Sequence, residues 1–126
     1  MKRMIILLLT LAFLFAMTGC GAKKAAAPAS PVTFKVVVTD LDGNESTFTY
    51  TSGAADLGEA LIAEGLIEGR ETEFGLFIET VNGITADWDA DQTYWAFYID
   101  GEYAVTTMDA TQLTADATYG LTLTKD

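Results

Sequence analysis

The chain is 126 residues long and half hydrophobic, with 18 acidic against 7 basic side chains, no histidine and one cysteine. Its net charge of −11 makes nucleic acid a poor partner, because phosphate binding depends on lysine and arginine releasing counterions. Without histidine there is no Ser-His or Cys-His nucleophile pair and no imidazole for a transition metal, and a lone cysteine forms no internal disulfide, so the expectation is a protein that is not an enzyme.

Lys2 and Arg3 precede the run Met4 to Met17, apolar apart from Thr10, and Thr18-Gly19-Cys20 closes the segment with small residues. This is the layout of a secretory signal. The apolar run of fourteen residues falls short of the roughly 20 needed to cross a bilayer. Met17-Thr18-Gly19-Cys20 resembles the lipobox of bacterial lipoproteins, with Met17 where leucine is usual. The resemblance implies residues 1–19 as a lipoprotein signal peptide, Cys20 as the lipidation site carrying palmitate or a similar acyl chain, and a lipid-anchored place on the extracytoplasmic face of the cell membrane. Lipidation also gives a use to the single thiol of an exported chain. The segment GAKKAAAPASP after Cys20 has two prolines and no apolar periodicity, so residues 20–31 read as the lipidated Cys and a flexible linker.

Residues 32–126 have the size of one domain. Its 18 acids against Lys35, Arg70 and Lys125 give a side-chain charge of −15. Thr33 to Thr39 and Ser46 to Tyr50 are β-branched and aromatic runs separated by turn formers from Asp40 to Glu45, a hairpin signal. Ser52 or Asp56 can then cap a helix with Leu57, Leu61, Ile62 and Leu66 on one face and Glu59, Glu64 and Glu68 outside it, ended by Gly65 and Gly69. Leu76 to Val81 reads as a third strand, Tyr94 to Asp100 as a fourth with a turn at Asp100-Gly101, and Thr118 to Thr124 as the last. The order ββαβββ predicts the α+β class: a single β-grasp-like two-layer domain with a mixed sheet packed on one helix.

Four pieces carry a further resemblance: LGEALIAEGLIEG from Leu57, then Glu79-Thr80-Val81-Asn82-Gly83-Ile84, then Thr93-Tyr94-Trp95-Ala96-Phe97-Tyr98-Ile99-Asp100-Gly101, and Tyr119-Gly120-Leu121. In this order they resemble the C-terminal domain of the transcobalamin and intrinsic factor family, a β-grasp-like module also found in bacterial surface lipoproteins of unknown function. In the cobalamin carriers that domain closes over one face of the corrinoid while a separate helical barrel supplies the other. The resemblance therefore implies cobalamin or another corrinoid as a candidate ligand. It also implies half a site, to be completed by a partner or a second copy.

Trp88, Tyr94, Trp95, Phe97, Tyr98 and Tyr103 crowd sixteen residues. Strand alternation puts Trp95, Phe97 and Ile99 on one face and Tyr94, Ala96 and Tyr98 on the other. Assigning the first set to the core leaves Tyr94 and Tyr98, with Trp88 from the preceding loop, as a candidate platform for a planar ligand; Asn82, in the neighbouring turn, is a hydrogen-bonding candidate. The bland reading has the tyrosines merely covering the second sheet face. Asp87-Trp88-Asp89-Ala90-Asp91 has the alternating acids that begin a calcium loop, but Gln92 stands where its glycine belongs and Tyr98 where its glutamate belongs. That segment and Asp40-Leu41-Asp42-Gly43-Asn44 read as turns, with no metal site expected. The leading expectation is a membrane-anchored binding module for a corrinoid or similar bulky nutrient. The alternative is an adaptor docking an envelope transporter or surface protein without a small ligand.

Overall fold

A computed structural model describes residues 30–126. The expected signal segment, Cys20 and most of the linker lie outside the described residues.

The described residues open with strands β1 (Val32–Thr39) and β2 (Glu45–Ser52), paired antiparallel from Val32↔Ser52 to Thr39↔Glu45. Asp40 builds the connecting turn: its Oδ1 accepts the backbone N–H groups of Asp42 and Asn44, each at 2.9 Å. Hydrogen bonding from the Asn44 backbone, then from its side chain and from Asp42 and Gly43, holds the Asp40 carboxyl below the ordinary carboxylate range.

Helix α1 spans Leu57–Ala63 and is capped by Asp56, whose Oδ1 accepts from the Glu59 N–H at 2.8 Å. Ser52, the other expected cap, ends β2 and instead accepts from the Ala54 N–H. The helix is shorter than its apolar spacing predicts. Gly65 (φ +78°) takes the left-handed position, the Leu66 N–H bonds back to Leu61 O and the Gly65 N–H to Ile62 O, which is a Schellman termination. Ile62 is consequently half-exposed, and Leu66 is buried beyond the helix rather than along it. Gly69 does not end the helix but lies within a strand.

That strand, β3 (Ile67–Thr72), pairs with β4 (Gly75–Val81) across a bulge at Glu68/Gly69, and β4 pairs with β5 (Ile84–Thr85). Asn82 and Gly83 join β4 to β5 with φ of 51° and 82°, the doubly positive backbone of a type I′ turn. A single turn of helix, α2 (Trp88–Asp91), leads to β6 (Thr93–Ile99). A second tight turn, Asp100-Gly101 (φ 49° and 88°), returns the chain as the two-residue strand β7 (Glu102–Tyr103). After a 3₁₀ turn at Met108–Ala110, β8 (Thr118–Lys125) closes the domain.

The class is α+β with two layers, as the sequence predicts, but the strands form two sheets. The larger has the order β2-β1-β8-β6-β7, antiparallel except for the parallel pair β1–β8; β3-β4-β5 form a smaller one. Alternation explains the core. Phe34, Val36 and Val38 of β1, Tyr119, Leu121 and Leu123 of β8, and Trp95 and Phe97 of β6 share the inner face. Leu57, Ala60 and Leu61 of α1, Ile67 of β3, Leu76 and Val81 of β4, and Met108 cover it. The expected third strand, Leu76 to Val81, is β4, which belongs to the covering layer rather than to the larger sheet.

Candidate functional site

The short strand β7 decides where the domain can be entered. It pairs with β6 only through Tyr98↔Tyr103 and Ile99↔Glu102, so the earlier residues of β6 form a sheet edge facing β4. Phe97 O accepts from the Ala104 N–H at 2.9 Å. The backbone groups of alternate residues point the same way, so those of Trp95 are directed to this edge as well.

Trp88 is brought there by the loop before β6. Asp87 caps α2, accepting from the Ala90 N–H at 3.0 Å, and Gln92 (φ 59°) ends it in the left-handed region. The buried Thr93 hydroxyl ties the loop to the strand by donating to Asp91 Oδ1 and accepting from the Asp87 N–H at 2.9 Å. Trp88 is thereby held with its ring centroid 6.2 Å from that of Tyr94, tilted by 59°. The opposing wall comes from the small sheet: Phe77 and Ile78 of β4, with Arg70 of β3 lying 5.0 Å over the Phe77 ring and bonded through Nε to Glu79 Oε2 at 3.1 Å.

These residues bound a hollow of about 340 Å³. A second hollow of about 200 Å³ adjoins it, sharing Phe77, Ile78 and Tyr94 and continuing beneath Tyr103, Ala104 and Thr107 to Trp95, Phe97 and Met108. Together they make a groove along the open edge of β6. Aromatic rings alternate along its walls with threonines such as Thr80, Thr85, Thr93 and Thr107, and its charged groups are Arg70, Glu79, Asp87 and Asp89. The arrangement suits stacking and edge contacts with an organic ligand.

Of the residues expected to form a site, the structure joins Trp88 and Tyr94 and separates the others. Tyr98 meets Tyr103 edge-on at 5.6 Å and lies across Gly120, where an added Cβ would stand 3.3 Å from the Tyr98 Cβ. It borders a different, shallow depression on the outer sheet face. Asn82 lines neither hollow; its place is in the type I′ turn, where its N–H donates to Leu66 O at 2.8 Å. Trp95 and Phe97 are buried as expected, but Trp95 is also part of the groove wall. Arg70 and Phe77 carried no local signal, because only the pairing Arg70↔Phe77 across β3–β4 places them opposite Tyr94. Among the described residues no group of three or more His, Cys, Asp or Glu side chains is placed to hold a metal ion. Asp87 and Asp91 serve the loop instead.

A family model described as "Domain of unknown function (DUF4430)" matches residues 55–121. Among solved structures, a candidate metal-binding protein from Ruminococcus gnavus ATCC 29149 is similar, with 36% identity, a TM-score of 0.71, and coverage of 75% of this chain and 98% of its own. Haptocorrin in complex with Cbi is similar at 17% identity and a TM-score of 0.56, over 76% of this chain and 25% of that one. The second likeness concerns the fold, and this chain spans only a quarter of haptocorrin's length. The R. gnavus chain consists almost entirely of the shared region. No curated protein matches the sequence.

Proposed function

The chain belongs to the DUF4430 family, and on that premise we propose that it is a non-enzymatic binding module, held on the extracytoplasmic face of the cell membrane by a lipid on Cys20, whose groove at Trp88 and Tyr94 receives a corrinoid or a similar bulky nutrient. The observation that carries this reading is the groove itself: a hollow of about 340 Å³ walled by Phe77, Trp88 and Tyr94 at an unpaired strand edge. Its volume is near the lower end for organic-ligand pockets, so it grips one edge of a macrocycle rather than enclosing it. Something else must cover the remainder, whether a partner protein or a second copy. The haptocorrin likeness supports the ligand class through the fold. The description of the R. gnavus relative supports metal in some form, and a metal carried inside an organic ring fits a groove whose carboxylates do not converge.

The test is calorimetric titration of the soluble domain with cyanocobalamin alongside tryptophan fluorescence. Saturable binding that quenches Trp88 supports the reading; no response at high micromolar ligand overturns it. Trp88→Ala is expected to weaken binding about tenfold, the loss of one stacking ring with its buried area. Because Trp88 is half-exposed, the change should leave unfolding free energy within about 0.5 kcal/mol. For the anchor, Cys20→Ser is expected to move the protein from the membrane to the soluble fraction and to abolish palmitate labelling. A variant that stays with membranes and still labels would refute lipidation there.

One observation favours the alternative of an envelope adaptor. Phe74, Tyr103 and Val105 are 82%, 63% and 97% exposed, more apolar surface than a ligand groove needs. Cross-linking in intact cells that captures a transporter or surface protein, with no cyanocobalamin binding, would establish the adaptor.

A further inference from the structure

An open sheet ends in strands whose outer backbone groups lack a neighbour, and proteins blunt such edges with shortness, charge, proline or bulges. Among the described residues the two sheets end in β2, β7, β3 and β5, and three of these are blunted. β5 and β7 have two residues each, and β3 carries Glu68, Arg70 and Glu71 and is broken by the bulge at Glu68/Gly69. β2 is different. Its eight residues contain no proline, lysine or glycine, its pairing with β1 runs without a register shift, and Glu45 at its first position is its only charge in a domain of 18 acids. The hydrogen bonds show which of its backbone groups are open. The Asp40 N–H donates to Asn44 O at the end of the hairpin, and on the far side of β1 the Lys35 N–H donates to Ala117 O. Bonded pairs alternate along an antiparallel ladder, so Ser46, Phe48 and Tyr50 bond to β1, and the N–H and C=O of Thr47, Thr49 and Thr51 point away from it. Among the described residues no backbone group meets them. The three threonines are exposed on the outer sheet face, while Phe48 and Tyr50, stacked at 6.1 Å, lie on the inner one.

We propose that β2 is a homodimer interface: two copies of this chain pair antiparallel along it, about a twofold axis at Thr49, and join their five-stranded sheets into one of ten strands. The strand is its own complement. With Thr49 opposite Thr49, Thr47 faces Thr51, and the outward N–H and C=O of all three threonines find partners on the other copy. The same register sets Phe48 opposite Tyr50 on both sides of the axis, aromatic pairs in the closer, non-hydrogen-bonded positions. It also leaves both Glu45 carboxylates outside the bonded stretch. Charge selects a second copy as the occupant. It brings the same uncharged strand, whereas a separate protein complementary to this acidic domain offers cations, and β2 has no carboxylate along its middle to receive them. The inference goes beyond the reading of the groove and does not depend on it. The groove runs along β6, at the other side of the larger sheet, so a copy joined through β2 leaves both grooves open.

The test is cross-linking by register in the purified full chain, carrying Cys20→Ser so that one added cysteine is the sole thiol. In Thr49→Cys the two copies approach to about 5.5 Å between Cα atoms at the axis. In Thr47→Cys or Thr51→Cys the thiols are four residues apart along the strands, roughly 14 Å, so a short bismaleimide is expected to give about tenfold less covalent dimer from either. Sedimentation in detergent gives a second readout. Thr49→Pro removes an outward N–H and no bond to β1, and should weaken self-association at least about tenfold with unchanged circular dichroism, while Thr49→Val stays within about twofold. Thr49→Lys, which sets two cations at the axis, replaces the proline variant if that one unfolds. Equal product from all three cysteine positions, product from none, or a monomer at about 100 μM overturns the proposal. Capture of a different protein by Thr49→Cys in intact cells, without the homodimer, overturns it in favour of a separate partner.

Discussion

Phe34→Ala is expected to lower the unfolding free energy by about 3–5 kcal/mol, the range for deleting a buried phenylalanine ring. Phe34 is 1% exposed in the middle of β1, and its ring meets Tyr119 edge-on at 5.6 Å and Tyr50 at 6.2 Å. Losing it opens a cavity bounded by two aromatic rings held on different strands, which cannot collapse together because β1, β2 and β8 are in register with one another. Domains of this size have about 5–15 kcal/mol in total, so the variant is left with a fraction of its stability. Its melting temperature should fall by at least about 12 °C. Guanidinium unfolding followed by circular dichroism measures this, and a loss below about 1 kcal/mol would mean that the core is not organised around Phe34.

The second large effect is expected at Gly69. A Cβ there would stand 2.3 Å from Phe77 O and 3.2 Å from Phe77 C. These are backbone atoms of the paired strand and cannot rotate aside, so in Gly69→Ala β3 has to separate from β4 at the bulge. The expected cost is about 1–3 kcal/mol, as for other overpacked sites. The displacement also moves Phe77 and Arg70, and with them one wall of the groove. Weaker cyanocobalamin binding should therefore accompany the destabilisation. Gly65→Ala is the control. It also strains the backbone, at φ +78°, but its Cβ would meet nothing within 4 Å and the site is remote from the groove. A Gly69→Ala domain that melts lower yet binds normally would show that the β3–β4 register does not shape the site.

Some of this was legible in the residues and some was not, for physical reasons. Strand alternation placed Trp95 and Phe97 in the core and Tyr94 outside it, because a two-residue period is a property of the strand alone. The turn formers of Asp40 to Glu45 and Asp100-Gly101 likewise act locally. Strand β3 was not legible: Ile67-Glu68-Gly69-Arg70-Glu71-Thr72 is charged and contains a glycine, its alternation is broken by the bulge, and its stability comes from β4. The helix was overextended because Leu66 continues the 3.6-residue spacing, whereas the termination at Gly65 turns it into the core by another route. The groove was half legible. Trp88 and Tyr94 are close in sequence, but their opposing wall is a matter of tertiary pairing, and β6 has an open edge only because β7 is two residues long. A burial pattern could not show that Trp95 is both a core residue and a groove wall, since that depends on how little of the β6 edge the two residues of β7 cover.

The parallel pairing of β1 with β8 bears on how the domain comes into being. The hairpins β1–β2 and β3–β4 join neighbouring stretches and can close within microseconds, but no tight turn can make a parallel pair. Lys35 must find Thr118, and Val38 must find Leu121, across a loop containing nearly everything else. Three of the eight inner-face residues of the large sheet wait on that encounter, since Tyr119, Leu121 and Leu123 arrive with it. Topologies dominated by such distant contacts fold in milliseconds to seconds. Only with Thr118–Lys125 between β1 and β6 do the two ends of the chain share one sheet and one interior.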